Sequence, residues 1–556
     1  MNKYSLILIF FTLINLFNSN SYGQLLNARE IFSKADSLRG LLTPLRTCYD
    51  IKYYHLDVKV DIDKKFISGK NLFKFKATEN FKKLQFDLFE NLSVDKVIYK
   101  GKELKFSREY NAVFVEFPKT IEKNKIDSFT VYYSGHPQQA TRAPWDGGFD
   151  WKKDSNGKPF VATACQGLGA SVWWPNKDHQ SDEVDSMLIS VAVPKDLINV
   201  SNGRLIKTEN IANGYKKYHW KVTNPINNYN VSLNIGDYIN FKDTVNGEAG
   251  VLDVEYYILK ENDTEEKKQH LRKNVLETIK AFEHWFGPYP FYEDSYKIVE
   301  TAHLGMEHQS AIAYGNKFKN GYLGGDSSNT GWGKKWDFIV VHESGHEWFG
   351  NNITAADIAD MWIHESFTNY SESLFIEYYY GKKAGQDYIF GNRKGIRNDK
   401  PIQGPYNVNK EGSGDMYIKG GVMHNMVRTI IDNDEKWREI LRGLNKKFYH
   451  TQIHYNDIVD YINKNSTYNL SKLFEQYVQH TGIPTLEVNF TNDGQVTAKW
   501  ISEVKNFNMP IHIGLKDQDK LLINIKDTDT KLNIAGLTKN NIDIDTRNYY
   551  IKTVIK

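Results

Sequence analysis

The run Val341-His342-Glu343-Ser344-Gly345-His346 sets two imidazoles four residues apart, with a carboxylate directly after the first. On a helix, residues i and i+4 share a face, so both rings can reach one ion. Glu343 lies one step round, beside that ion rather than on it, where a base for an attacking water belongs. Glu365, on a following helical segment, supplies a third ligand of the carboxylate type. Two His and one carboxylate are the protein ligands of a catalytic zinc site that keeps a fourth position open. The spacing therefore predicts one zinc per chain at His342, His346 and Glu365, with Glu343 as general base. Such an ion polarises a carbonyl and lowers the pKa of water toward about 7, so the chemistry implied is hydrolysis. The bland reading is two helical histidines that merely cap or pack. Glu365 at its fixed offset counts against it.

Other elements must hold these groups in place. Trp336, Phe338, Ile339 and Val340 supply the apolar residues of a buried helix; Trp348 and Phe349 continue its packing face, and Gly350-Asn351-Asn352 stop it. Glu372 lies two turns beyond Glu365 on the same face, as an orienting partner for a His ligand or as a surface charge. A long helix is expected from Asn262 to Trp285, with an acidic first turn and Leu271, Val275, Ile279 and Phe282 inward; Gly287-Pro288-Tyr289-Pro290 ends it. Before it, from about Ile51, runs such as Tyr54-His55-Leu56-Asp57-Val58-Lys59-Val60 alternate at period two, as strands do. Strands return after Leu486. The fold class expected is α+β and multidomain: an antiparallel β domain over 24–245, a mainly helical catalytic domain over 246–484, and a small β-sandwich over 485–556.

Three more segments carry a resemblance: Ala164-Cys165-Gln166-Gly167 followed by Trp173-Trp174-Pro175 and Asp178, then Leu304-Gly305-Met306-Glu307-His308, and then Asp415-Met416-Tyr417-Ile418-Lys419-Gly420. With the zinc motif in the same order, the chain resembles the aminopeptidase N family of gluzincin zinc metallopeptidases from about Tyr53 to about Val488. The resemblance implies a thermolysin-like catalytic domain that removes N-terminal residues from peptides with a free N-terminus. It implies that Glu307 anchors the free α-amino group, that Gly305, Met306 and Gln166 contact substrate, and that Tyr417 donates to the developing oxyanion. Gly305 would let an edge strand's backbone approach a peptide. The short form also implies no helical domain roofing the site, hence an open groove that accepts long peptides.

The chain departs from the family pattern at His308, where Asn is usual, at Glu347, where Gln is commoner, and at His364-Glu365-Ser366, where Asn-Glu-Gly is usual. None of these removes a ligand or the base; they bear on substrate preference. A zinc endopeptidase would share the triad without needing Glu307. Epoxide hydrolysis, as in the leukotriene hydrolase branch, expects an acidic residue eight positions before the tyrosine, where this chain has Asn409. An inactive peptide-binding protein would have no use for a base beside a metal.

Composition narrows the field further. The 556 residues suffice for about two to four domains, with 40% hydrophobic and 14% aromatic residues. A net charge of +3 from 71 basic and 68 acidic residues leaves no footprint for nucleic acid. Residues 1–23 read as a secretory signal peptide, with Lys3, an apolar core from Leu6 to Phe17 and a small-residue site at Ser21-Tyr22-Gly23. The expected location is secreted or periplasmic, with no stable membrane insertion. Cys48 and Cys165 are the only cysteines; a disulfide and two free thiols both stay open. The sequence does not fix the oligomeric state.

Overall fold

The computed structural model describes residues 31–492 and 494–556. The leader expected over 1–23 lies outside the described residues. Helix α1 (Lys34–Gly40) opens with a capping box between Ser33 and Asp36. It is followed by β1 (Tyr49–Asp61), whose period-two residues Tyr54, Leu56, Val58 and Val60 are all buried. β1 pairs antiparallel with β2 (Phe66–Ala77) and parallel with β3 (Met187–Pro194), inside an eight-stranded sheet. The expected antiparallel β domain is present, with β1–β3 a parallel pair inside its largest sheet. A parallel neighbour needs a long crossover, and the chain between β2 and β3 supplies one while building smaller sheets of its own.

The hairpin of β4 (Tyr238–Gly247) and β5 (Gly250–Leu259) continues into β6 (Tyr296–Glu300), then β7 (Gly305–Met306) and β8 (Ile312–Tyr314). These five strands form one sheet in the order β4-β5-β6-β8-β7, so β7 is an edge strand. A boundary at 245/246 would cut this hairpin, where Val245 faces Leu252 and Asn246 faces Val251. The catalytic domain therefore begins near Tyr238, because strand pairing and not composition decides which body the hairpin joins.

Helix α2 (Glu265–Phe286) packs on this sheet, with Leu271, Val275, Ile279 and Phe282 in the core. Its start is later than the periodicity suggests, because Lys260–Asn262 forms a separate 3₁₀ turn and Thr264 caps the helix through the Lys267 N–H. Three helices then frame the site: α3 (Phe338–Gly345), α4 (Trp362–Tyr380) and α5 (Ile418–Ile431). After residue 484 the chain forms a four-stranded and a three-stranded sheet, whose buried residues Leu486, Val488, Trp500 and Ile511 join the catalytic core. No helix among the described residues is long and apolar enough to cross a membrane. Cys48 and Cys165 are free and buried.

Candidate active site

α3 and α4 border a cavity of about 860 Å³. Asp337 starts α3 by accepting from the N–H groups of Ile339 and Val340. The Tyr314 hydroxyl and the Asn316 amide hold the same carboxylate, so the helix start is tied to the strand beside it. Gly345 sets the approach of the two helices: a Cβ there would stand 2.6 Å from Ser371 Oγ and 3.1 Å from Thr368 Cγ2. The helix stops sooner than its apolar run implies. His346 is already its C-cap, and the N–H groups of Glu347 and Trp348 bond three residues back in a tightened final turn.

The triad converges. His342 Nε2 and His346 Nε2 lie 3.9 Å and 3.4 Å from Glu365 Oε2. Ligand atoms about 2.0–2.2 Å from a tetrahedral zinc stand about 3.4 Å from one another, so the spacing suits that ion. The tautomers suit it too. His342 Nδ1 donates to Glu372 Oε1 at 2.8 Å, and His346 Nδ1 donates to the Phe349 carbonyl at 3.1 Å, leaving each Nε2 lone pair free. Glu365 Oε2 is buried without a hydrogen-bond partner among the described residues. Burial opposes a charge on His346, yet the Glu307 and Glu365 carboxylates raise its pKa; burial likewise opposes ionised Glu365, yet the two imidazoles hold it low. The donor set thus favours a cation, and its atoms fit zinc.

Glu343 is buried beside the triad, and burial pushes its carboxyl up to about 7 while His342 and His346 pull it down. Its position is set by Gly305 on β7. A Cβ on Gly305 would stand 2.6 Å from Glu343 Oε1 and 2.9 Å from Ile339 Cγ2. The carboxylate is the movable group of that pair, so Gly305→Ala displaces Glu343 more than it strains the fold. The expected result is a fall of about 100-fold in kcat with a normal zinc content, as for a 1 Å misplacement. Near-normal kcat in the zinc-loaded variant would show that β7 does not position Glu343.

Glu307 is fixed from the other domain. Gln166 Nε2 donates to Glu307 Oε1 at 2.7 Å and to Glu365 Oε1 at 2.8 Å, and the Tyr229 hydroxyl donates to Glu307 Oε1 at 3.2 Å. One acceptor atom each from Glu307, Glu343 and His346 lies within 4.8 Å of the others. Met306 is buried and packs into the core shared with the N-terminal domain, so it fastens β7 there, and it also lines the cavity beside Gly305 and Glu307. His308 is wholly buried, which pushes its ring down to about 3, and it does not line the cavity. His364 Nε2 accepts from the Ala355 N–H, and Glu347 accepts from Ser310 N–H and Tyr289 hydroxyl. These departures from the family pattern are all packed into the protein.

Tyr417 precedes α5 and lies with its ring parallel to the His342 imidazole at 6.0 Å. Burial, then the nearby Glu365 and Glu307 carboxylates, raise the pKa of its hydroxyl well above the ordinary value, so it keeps its proton. The neighbours in its motif are structural. Lys419 donates to the His480 carbonyl at 2.8 Å, and a Cβ on Gly420 would stand 2.3 Å from Ser366 Cβ, so α5 packs tightly on α4. Glu372 proves to be a partner of His342 and also accepts from the Tyr388 hydroxyl at 2.6 Å. Tyr229 and Thr368, the latter with Oγ1 3.2 Å from His346 Nδ1, were not singled out by sequence. Thr368 lies one turn after Glu365 and was legible in principle; nothing marked Tyr229 among 34 tyrosines.

Known families account for both large domains. Residues 272–477 match the peptidase family M1 domain and residues 51–229 the peptidase M1 N-terminal domain, together well over half of the chain. The chain belongs to peptidase family M1. This M1 chain is 24% identical over 264 residues to endoplasmic reticulum aminopeptidase 1 of Mus musculus, covering 45% of this chain and 27% of the relative. It is 21% identical over 416 residues to probable aminopeptidase 1 of Saccharolobus solfataricus, covering 71% and 51%. The M1 chain thus spans about a quarter to a half of the length of these curated relatives. Among solved structures, a mutant M1 zinc metallopeptidase of Deinococcus radiodurans bound to a Tyr-Ser-Ala substrate aligns with a TM-score of 0.65 at 18% identity, over 78% of this chain and 95% of that one. Legionella pneumophila aminopeptidase A, in complex with aspartic acid, aligns with a TM-score of 0.74 at 15% identity, over 92% and 60%. These likenesses show the M1 fold, and zinc is the metal of the M1 centre.

Proposed function

We propose that this chain is a zinc aminopeptidase that acts on peptides with a free N-terminus outside the cytoplasm. The observation that carries the reading is Glu307: a buried carboxylate, fixed by Gln166 and Tyr229, beside the triad but outside it. Both bonds fall on Oε1, which leaves Oε2 for a substrate ammonium. The charge count agrees. Glu307, Glu343 and Glu365 are three carboxylates against two imidazoles whose Nε2 atoms bind as neutral donors. A divalent cation and one ammonium balance them, whereas an endopeptidase substrate would leave Glu307 buried and unpaired.

Bound at His342, His346 and Glu365, zinc supplies Lewis acidity to the scissile carbonyl and to water. Glu343 takes the proton of the attacking water and returns it to the leaving amine. Tyr417 donates to the carbonyl oxygen as negative charge develops there. Gln166 keeps the Glu307 and Glu365 carboxylates at a fixed separation, so the peptide bond presented is the one after the first residue. The proposed location rests on the signal-like segment at residues 1–23.

Acetylation tests the anchor. A charge-assisted contact of this kind contributes about 1.5–3 kcal/mol, or about tenfold or more in kcat/KM. The unaltered enzyme is expected to prefer free over N-acetylated peptide by at least that factor, and Glu307→Ala to lose the preference while retaining zinc. Equal cleavage of both peptides, or internal cuts as first products, would replace this reading with an endopeptidase.

A further inference from the structure

The proposed reaction leaves one carboxylate of the cavity unused. Its acidic lining is Asp146, Glu307, Glu343, Glu365, Glu372 and Glu411. Asp146 closes its own turn by accepting from the N–H groups of Thr141 and Arg142, and Glu372 holds His342 and Tyr388. Glu307, Glu343 and Glu365 have the ammonium, the water and the metal. Glu411 makes no hydrogen bond and closes no ion pair among the described residues, and its side chain is open to the cavity. Two lysines are near. Lys400 adds a weak favourable field without contact, and the Lys410 ammonium stands over the Phe32 ring at 5.9 Å. Desolvation by the cavity wall, then the like charges of Glu365 and Glu307, raise the Glu411 carboxyl. A cation beside it relieves all three effects.

The placement of Glu411 says which part of a substrate meets it. A Cβ on Gly167 would stand 3.9 Å from Glu411 Oε2, and Gly167 follows Gln166, which bonds Glu307. The carboxylate therefore flanks the amine anchor on the side of the N-terminal domain. The side chain of a substrate's first residue branches from the carbon that carries the anchored ammonium, so it projects into this part of the cavity. Trp145 borders the same region. It is 68% exposed, and its turn is seated on Leu168, whose Cδ2 would be 2.7 Å from a Cβ on Gly147. An indole face attracts cations, arginine most often.

On the aminopeptidase reading above, we propose that Glu411, with Trp145, selects substrates whose first residue carries a basic side chain, arginine or lysine. An acidic first residue would set two like charges side by side. An apolar one would strip water from Glu411 and return nothing for it.

The test measures kcat/KM on the full chain with free-amine chromogenic aminoacyl substrates of Arg, Lys, Leu and Glu, alongside N-acetylated Arg. Arg and Lys are expected to exceed Leu by about tenfold or more, with Glu the poorest. Glu411→Gln should lower the Arg-to-Leu ratio about tenfold, mostly through KM, and Glu411→Lys should raise Glu relative to Arg. Trp145→Leu should lower the Arg-to-Leu ratio by a smaller factor. Zinc content and thermal unfolding report whether each variant is folded; the unaltered enzyme's own preference decides the matter if one is not. A preference for Leu over Arg in the unaltered enzyme, or a ratio unchanged within about twofold in folded Glu411→Gln, overturns the proposal and leaves the aminopeptidase reading standing. Equal cleavage of free and acetylated Arg overturns both.

Discussion

Glu343→Gln is expected to lower kcat by about 100- to 10,000-fold while the protein still binds one zinc per chain. The amide keeps the size and shape of the carboxylate, so the contact with Gly305 is preserved. It loses the basicity, and neither neighbouring carboxylate stands in for it, since Glu307 and Glu365 are both held by Gln166. Substrate binding should change little, because the anchor and the ligands are intact. Two measurements decide the outcome: metal by elemental analysis and single-turnover hydrolysis. Loss of zinc together with activity would make Glu343 a structural support of the site. Activity within about tenfold of normal in the zinc-loaded variant would require another base.

Tyr417→Phe should cost about 100- to 1,000-fold in kcat, close to 3 kcal/mol, with KM nearly unchanged. The phenol keeps its proton in this buried setting, so it acts as a donor throughout the pH range in which the fold survives. Its closeness to the Glu365 carboxylate matters here. Deleting the hydroxyl also changes the surroundings of that metal ligand, so zinc affinity should be measured beside kcat. If kcat falls only in proportion to zinc lost, Tyr417 supports the metal ligand and is not the oxyanion donor.

The parts of the site that were legible in the sequence are local. His342, Glu343 and His346 sit on one helical turn, and Glu365 and Glu372 are spaced along the next helix, so period and spacing predict who faces whom. Gln166, Glu307 and Tyr417 were reached through motifs whose order along the chain resembles a known family. What stayed hidden depends on contacts between distant segments. Tyr229 meets Glu307 across 78 positions, and no pattern within either segment encodes that contact. The β1–β3 parallel pair and the hairpin at residues 238–259 mislead for the same reason: each strand has the right alternation, but alternation does not name its partner.

The two tasks of the site are anchored in different places. His342, His346 and Glu365 all belong to α3 and α4 or their ends, locked together at Gly345, so the hydrolytic engine is mostly local to one domain, with Gln166 reaching Glu365 alone of the three. The ruler is not. Glu307 owes its orientation to Gln166 and Tyr229, which arrive from the N-terminal domain. On the proposed reading, a slight slippage between the domains would loosen the ruler, which loses two bonds, more than the blade, which loses one. Such a protein would still cut peptides but would no longer count to one. The interface between the domains therefore guards the accuracy of trimming more than its speed.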